Sequence, residues 1–390
     1  MTSPLCVAIV GGGIGGIAAA VALRQRGIEV CVYEQAPALT EVGAGVALQP
    51  NGIRMMRRLG LGDEVTRHGA RWLDPQFRRA DGSYILPLWS AEEASTIEFY
   101  GLHRADLLQM LVDQLPPGIV KTGHRCVDFH QNDEHAIVSF ANGARATADV
   151  VVAADGIHSV LQQFVVPTSA PLFSGSIAYR GVVSAASVCW PSGAMRNWLG
   201  AGKNFLVYPV RSDELINYVG FVQTNAQVKE SWSASGHTAD LAREFAGWDP
   251  AVETIVAQAG ATFTWALYDR EPLARWTRGR LTLLGDAAHP MLPHVGQGAN
   301  QAIEDGVTLA AILSHTDRIS APRGLQVYEE LRRERCAQVQ RSSRINGARY
   351  KASGDNLAGR DRQLSSYSKE RAWIWSYDAE AEALAAAASL

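Results

Sequence analysis

Cys6-Val7-Ala8-Ile9-Val10-Gly11-Gly12-Gly13-Ile14-Gly15-Gly16-Ile17-Ala18-Ala19-Ala20 is the stretch on which the fold turns. Five apolar residues of the kind found in a buried parallel strand run straight into glycines and then into an alanine-rich helical segment. Gly11, Gly13 and Gly16 fall in G-x-G-x-x-G phase, which supplies a tight turn, room for a pyrophosphate against bare backbone, and close helix–strand packing. With Gly15 they are candidate cofactor-binding residues, because the free N–H groups of the following helix face the phosphates. Gly27 ends that helix, and Glu29-Val30-Cys31-Val32-Tyr33-Glu34 reads as a second parallel strand. Glu34 at its tip can accept hydrogen bonds from ribose hydroxyls and repel a 2′-phosphate, with Gln35 beside it as a further candidate. A glycine-rich turn before a buried helix is the competing reading, and it leaves the acid at the end of an apolar strand unexplained. The motif alone leaves NAD and FAD open, since both present an adenosine diphosphate.

Two later runs repeat the pattern. Ala148 to Gly156 is a buried-strand run ending in Asp155-Gly156, after which Ile157-His158-Ser159 is expected to open a helix. Arg280 to Pro290 is a third such strand, ending in Gly285-Asp286. Three strands thus bring Glu34, Asp155 and Asp286 to the carboxyl edge of one sheet, where ligands of open α/β sheets bind. Asp286 suits a polyol such as a ribityl chain, and no second G-x-G-x-x-G offers a separate domain for a nicotinamide nucleotide.

Composition excludes several classes. The 390 residues are 47% hydrophobic and 19% charged, enough apolar content for two or three folded domains. With 36 basic and 39 acidic residues the net charge is -3, so nothing points to nucleic acid or an anionic membrane. Leu5 to Leu23 carries no charge, but its glycines and the lack of a preceding basic residue argue against a membrane span or signal peptide. Five scattered cysteines with no C-x-x-C pair and no metal-ligand spacing suggest a reduced, cytoplasmic protein without a metal site.

Taken together, the chain resembles the single-component FAD-dependent aromatic hydroxylases, the group A flavoprotein monooxygenases that act on para-hydroxybenzoate, salicylate, 3-hydroxybenzoate and 6-hydroxynicotinate. The resemblance runs through Gly11 to Glu34, Gly43-Ala44-Gly45, Gln49-Pro50-Asn51, His103 to Leu107, Asp155-Gly156, Gly285-Asp286 and Trp373 to Asp378. It implies an α/β fold like that of para-hydroxybenzoate hydroxylase: an FAD-binding Rossmann-like domain (1–174 and 264–320), an inserted, mostly antiparallel β-sheet substrate domain (175–263) and a helical C-terminal segment (321–390). Strands of alternating character at Ser176 to Val183, Asn204 to Val210 and Leu215 to Gln223 agree with the insert. Within the C-terminal segment, Glu329 to Arg335 reads as a solvated helix face laced by ion pairs, and Ala379 to Leu390 as a frayed helix.

The same resemblance assigns Gly45 and Arg104 to the FAD side, Arg104 near the pyrophosphate, Asp155 to FAD and nicotinamide binding, and Asp286 to the ribityl chain. Gln162 departs from an arginine usual in the Asp-Gly motif, which bears on how the nicotinamide nucleotide is held. Pro293, Gly298, Ala299 and Asn300 belong to a glycine-rich loop leading into an amphipathic helix from Gln301 to Leu313, whose N-terminus would stabilise negative charge on the flavin. By the 6-hydroxynicotinate pattern, His294 and Tyr208 line the substrate site as the catalytic pair, with Asn204 and Ala47 where that pattern has histidines. Pro293, next to His294, is also a substrate candidate, and Arg180 on the roofing sheet is a lesser one. A histidine near its ordinary pKa of about 6.5 could accept a proton from the ring hydroxyl; a buried, satisfied core histidine is the competing reading.

The expected activity is hydroxylation of a small hydroxylated aromatic or N-heteroaromatic compound through a flavin C4a-hydroperoxide, using FAD, NADH or NADPH, and O2. An NAD-dependent dehydrogenase is disfavoured by Gly285-Asp286, and a flavin halogenase by the lack of a Trp-x-Trp-x-Ile-Pro-like segment. A protein that binds flavin and an aromatic ligand without turnover is the non-enzymatic alternative. The substrate's identity and the assembly, for which a homodimer is the form considered, stay open.

Overall fold

The computed structural model describes residues 4–39, 44–224, 234–388 and 390. Strand Cys6–Val10 lies at the centre of a six-stranded sheet, paired in parallel with Glu29–Tyr33 on one side and Val150–Ala153 on the other. Leu281–Leu283 adds a further parallel strand beyond Val150–Ala153. Helices cover these strands, so Val7, Ile9, Val32, Val150, Val151 and Val152 are fully buried, which is why they read as unbroken apolar runs rather than alternating ones. The strands share a direction, so Glu34, Asp155 and Asp286 follow their C-terminal ends along one edge.

Helix Ile14–Gln25 is rich in alanine because another helix lies on it: a Cβ on Gly306 would come within 2.7 Å of the Ala19 nitrogen. That partner, Gly298–Leu313, is buried from Asn300 to Leu313. The expected amphipathic helix is therefore a core helix, enclosed by its neighbours on every side. Its two acids, Glu304 and Asp305, are fully buried and meet Arg332 and Arg335 from helix Ala321–Tyr350. This corrects the solvated reading of Glu329 to Arg335: Arg332 and Arg335 are buried, and within the run Glu330 and Glu334 are the exposed residues. Helix Ala379–Ala387 is likewise packed rather than frayed, with Ala379, Ala383 and Ala387 buried and Asp378 accepting from the Ala381 N–H as its cap. After Asp155-Gly156 the chain makes only a 3-10 turn at Leu161–Phe164, not a helix, because the Asp155 carboxylate captures the Val160 N–H at 2.8 Å and Ser159 Oγ that of Gln162 at 3.0 Å.

The second large sheet has eight strands and is mostly antiparallel. Leu172–Ser184, Lys203–Val210, Leu215–Gln223 and Thr262–Asp269 form its body. Its outer hairpin, Asp74–Arg79 and Tyr84–Pro87, comes from the part of the chain before the insert, and Asp74–Arg79 pairs in parallel with Ala194–Leu199. No helix among the described residues is long and apolar enough to cross a membrane.

Candidate active site

Between the parallel sheet and the roofing sheet lies a cavity of about 340 Å³. Its floor is made of turns. Gly11 has φ +113°, and a side chain there would strike the Ala154 carbonyl oxygen at 2.1 Å; a Cβ on Gly16 would lie 2.1 Å from the Gly11 oxygen. These two glycines close the turn, whereas Gly13, Gly156 and Gly298 have nothing within 4 Å of a would-be Cβ. The cavity wall is thus bare backbone in front of two helix N-termini, those of Ile14–Gln25 and Gly298–Leu313. An elongated, flat, phosphate-bearing cofactor fits that shape and polarity.

Of the residues expected at the cofactor, Gly13, Gly15, Gly16, Gly45, Arg104, Gly285, Asp286, Pro293, Gly298 and Ala299 line the cavity. Burial raises the Asp286 pKa, partly countered by His289 and Arg104. Others stand behind the wall. The Glu34 carboxylate accepts from the Gly12 N–H and the Ala36 N–H, each at 2.7 Å, while Gln35 is exposed. Asp155 holds its own turn, and burial raises its pKa. Asn300 is fully buried and acts as a staple: its Oδ1 accepts from the Gln49 N–H at 3.0 Å, and its Nδ2 donates to the Ala47 and Gly296 carbonyls. Gln162 is also buried, its Nε2 donating to the Ala287 carbonyl at 3.0 Å, so it braces the Gly285–Ala287 turn. Gly43 lies outside the described residues.

The roof shows why certain side chains face the site. Side chains alternate along a strand, and the cavity takes one set: Met195 and Asn197, then Asn204, Leu206 and Tyr208, then Asn217, Val219 and Phe221. The register places Tyr208 opposite Asn217, Asn204 opposite Phe221, and Arg180 opposite Val219. Arg180 is half-buried, with its guanidinium 5.6 Å from the centre of the Trp265 ring. Asn204 Nδ2 donates to Asn197 Oδ1 at 3.1 Å, and Asn217 Oδ1 accepts from the Gly45 N–H at 2.7 Å. Sequence reading missed Asn197, Asn217, Trp265, Tyr350 and Tyr367, all of which line the cavity. The signal for Asn217 was available, since it shares the inward face of its strand with Phe221.

His294 joins this wall from the loop below. Its ring packs against Phe221 and Tyr350, and neither ring nitrogen has a protein hydrogen-bond partner. Burial, reinforced by the nearby Lys351 charge, lowers its pKa from 6.5 to about 3. The expectation of an ordinary histidine base is therefore corrected: in the free site the imidazole is neutral. Burial also raises the Tyr208 pKa, with Arg180 opposing, so that hydroxyl is neutral as well.

Beneath the loop lies a polar lattice. Asp305 accepts from the Gly285 N–H at 3.0 Å, pairs with His289 at 2.6 Å, and accepts from Arg332 at 2.7 Å. Glu304 binds Asn51, Arg332 and Arg335, and Gln49 accepts from Gln297 and Trp375. Within this lattice the acids Glu304 and Asp305 are matched by Arg332, Arg335 and His289, as a low-dielectric interior requires.

Comparison with known proteins agrees with this geometry. A family model described as an FAD binding domain matches residues 5–343. A 3-amino-4-hydroxybenzoate 2-monooxygenase of Streptomyces platensis is 38% identical over 385 residues, covering 96% of each chain. A 6-hydroxynicotinate 3-monooxygenase of Bordetella bronchiseptica is 33% identical over 352 residues, covering 87% of this chain and 91% of that one. Among solved structures, a salicylate hydroxylase substrate complex superposes with a TM-score of 0.85 at 31% identity over 98% of both chains.

Proposed function

The chain belongs to the FAD-binding-domain family of flavin-dependent monooxygenases, and from that premise we propose that it hydroxylates a small ring-hydroxylated aromatic or N-heteroaromatic carboxylate. The observation that carries this reading is one cavity with bare glycine backbone and two helix N-termini on one side and Arg180, Tyr208 and His294 among aromatic rings on the other. The similar enzymes are named for acids whose ring also bears a hydroxyl, and Arg180 offers a matching cation.

FAD, held by the Gly11–Gly16 turn that Glu34 braces, by Arg104 and by Asp286, would take two electrons from NAD(P)H and activate O2. One oxygen atom enters the ring and the other leaves as water. The protein's part is to bind, orient and dry the ring. Arg180 pairs with the carboxylate, and the Tyr208 hydroxyl and His294 meet the ring hydroxyl. A phenolic proton grows more acidic as the ring gives up electron density, so a ring nitrogen of His294 receives it during oxygen transfer rather than before. The aromatic walls exclude water. The Gly298–Leu313 N-terminus, which lines the cavity, would stabilise negative charge on the bound flavin.

The test is NAD(P)H oxidation by the purified yellow protein with salicylate, 6-hydroxynicotinate and 3-amino-4-hydroxybenzoate, each beside its analogue lacking the carboxylate. The acids should stimulate oxidation and yield a hydroxylated product. Equal stimulation by the analogues would remove the role given to Arg180, and hydride consumption without hydroxylation under any of them would remove the reading itself.

A further inference from the structure

Helix Ala321–Tyr350 turns a polar stripe toward the loop that carries His294. Gln340, Ser343 and Asn346 are three residues apart and essentially fully buried. Gln340 Nε2 donates to the Pro290 carbonyl at 2.8 Å, Ser343 Oγ to Leu292 at 2.5 Å, and Asn346 Nδ2 to His294 at 2.6 Å. Three donors thus hold alternate carbonyls of a proline-containing segment that buried backbone chemistry would otherwise leave short of partners. At the next position the stripe is a missing side chain: a Cβ on Gly347 would lie 2.4 Å from His294 Cδ2 and 2.9 Å from Nε2. Glycine inside a helix costs about 1 kcal/mol relative to alanine, so its presence against this ring calls for a reason.

The same helix is anchored to the roof. Arg344 Nε donates to Asp269 at 2.6 Å, at the end of strand Thr262–Asp269, and Lys351 just past the helix donates to the Ser174 carbonyl at 2.5 Å in strand Leu172–Ser184. One rigid element therefore measures the His294 loop against the sheet that carries Arg180 and Tyr208.

We propose that Gln340, Ser343, Asn346 and Gly347 are positioning residues that fix the His294 ring relative to the roof, and so set how much of the consumed NAD(P)H ends as hydroxylated product. The proposal rests on the reading of His294 as a substrate contact. Both ring nitrogens lack protein partners, so the ring's place is set by its backbone and by packing alone, and the stripe governs both.

The test compares Ser343→Ala, Ser343→Thr, Asn346→Ala, Gly347→Ala and His294→Gln with the parent. Ile345→Ala serves as a control, since that side chain is 62% exposed on the same helix. Each FAD-loaded protein is assayed with whichever of the three acids named above most stimulates NAD(P)H oxidation. The readouts are KM, kcat, the fraction of turnover released as hydrogen peroxide, and the ligand-induced change in the flavin absorption spectrum. A displacement near 1 Å can cost on the order of 10²-fold in a positioned reaction. Ser343→Ala, Asn346→Ala and Gly347→Ala should therefore keep their flavin, at the cost of a lower urea midpoint, while hydrogen peroxide rises and the spectral change shrinks, as in His294→Gln. Ser343→Thr should restore coupling, and Ile345→Ala should match the parent. Should Gly347→Ala fail to fold, the serine and asparagine variants decide the matter. Uncoupling in His294→Gln with parental coupling in the stripe variants overturns the proposal and leaves the site reading standing. Uncoupling in the stripe variants with a silent His294→Gln shows that they do not act through this ring, and silence in all of them overturns both.

Discussion

Replacing His294 by glutamine should make the protein lose less stability in acid than the parent does. Burial, aided by Lys351, takes the imidazole from 6.5 to about 3 in the folded state. A folded pKa below the unfolded one means that the unfolded chain binds the proton first, so unfolding gains protons as the pH falls. The contribution of neutral His294 is intact above pH 6.5 and is lost progressively as pH drops toward 3. At pH 5 the interval below 6.5 corresponds to about 2 kcal/mol, at about 1.4 kcal/mol per pH unit. Glutamine is neutral throughout and carries no such term. Urea unfolding of the FAD-loaded parent and variant, followed by tryptophan fluorescence at pH 7.5 and 5.0, gives the difference directly, with the remaining histidines cancelling between the two proteins. The parent should lose about 2 kcal/mol more than the variant between those pH values. Parallel losses would mean that His294 titrates as an ordinary histidine, and the neutral-site argument fails. A consequence for catalysis accompanies this: His294 contributes no acid limb near pH 6–7 to the kcat/KM profile, so the parent and His294→Gln profiles should have the same shape there.

Arg332→Met should destabilise the fold by about 3–5 kcal/mol, because it strips a fully buried guanidinium from Glu304 and Asp305; a urea-derived loss below about 1 kcal/mol would contradict the buried-charge account. Glu34→Arg, which removes the brace on the Gly12 N–H, and Asp286→Ala should each lower the flavin-to-protein absorbance ratio after gel filtration, and full flavin content in both would refute these roles. Gly16→Ala should also lose flavin, since its Cβ would meet the Gly11 oxygen at 2.1 Å and open the turn; parental flavin content would show that the turn tolerates it.

The cofactor half of the fold was legible because its signal is local. Strand, glycine turn, helix and terminal acid follow one another within Cys6 to Glu34, and Gly11 and Gly16 mark close approaches that a side chain would block. The roof strands were legible through alternation, and Leu215–Gln223 begins and ends where the pattern does. The hairpin Asp74–Arg79 and Tyr84–Pro87 was not, because its first strand, Asp-Pro-Gln-Phe-Arg-Arg, is polar, and its parallel partner lies more than a hundred residues away. Glu329 to Arg335 misled for a related reason: charges spaced along a helix look the same whether they face water or buried acids on another helix. His294 was recognisable by its motif, but its protonation state was not, since Phe221 from a roof strand and Tyr350 and Lys351 from the end of a C-terminal helix reach it from two other parts of the chain. Asn300, expected at the cofactor, shows the same limit: only the fold reveals that it staples Ala47, Gln49 and Gly296 together.

The most direct test of the central claim is turnover of the most stimulating acid with NAD(P)H under ¹⁸O₂, with product mass read by mass spectrometry. One labelled oxygen atom per product, with NAD(P)H consumed in proportion, is the result expected of a monooxygenase built on this cavity. Product oxygen that comes from water, or NAD(P)H consumption that yields no oxygenated product with any ring-hydroxylated acid, would contradict it.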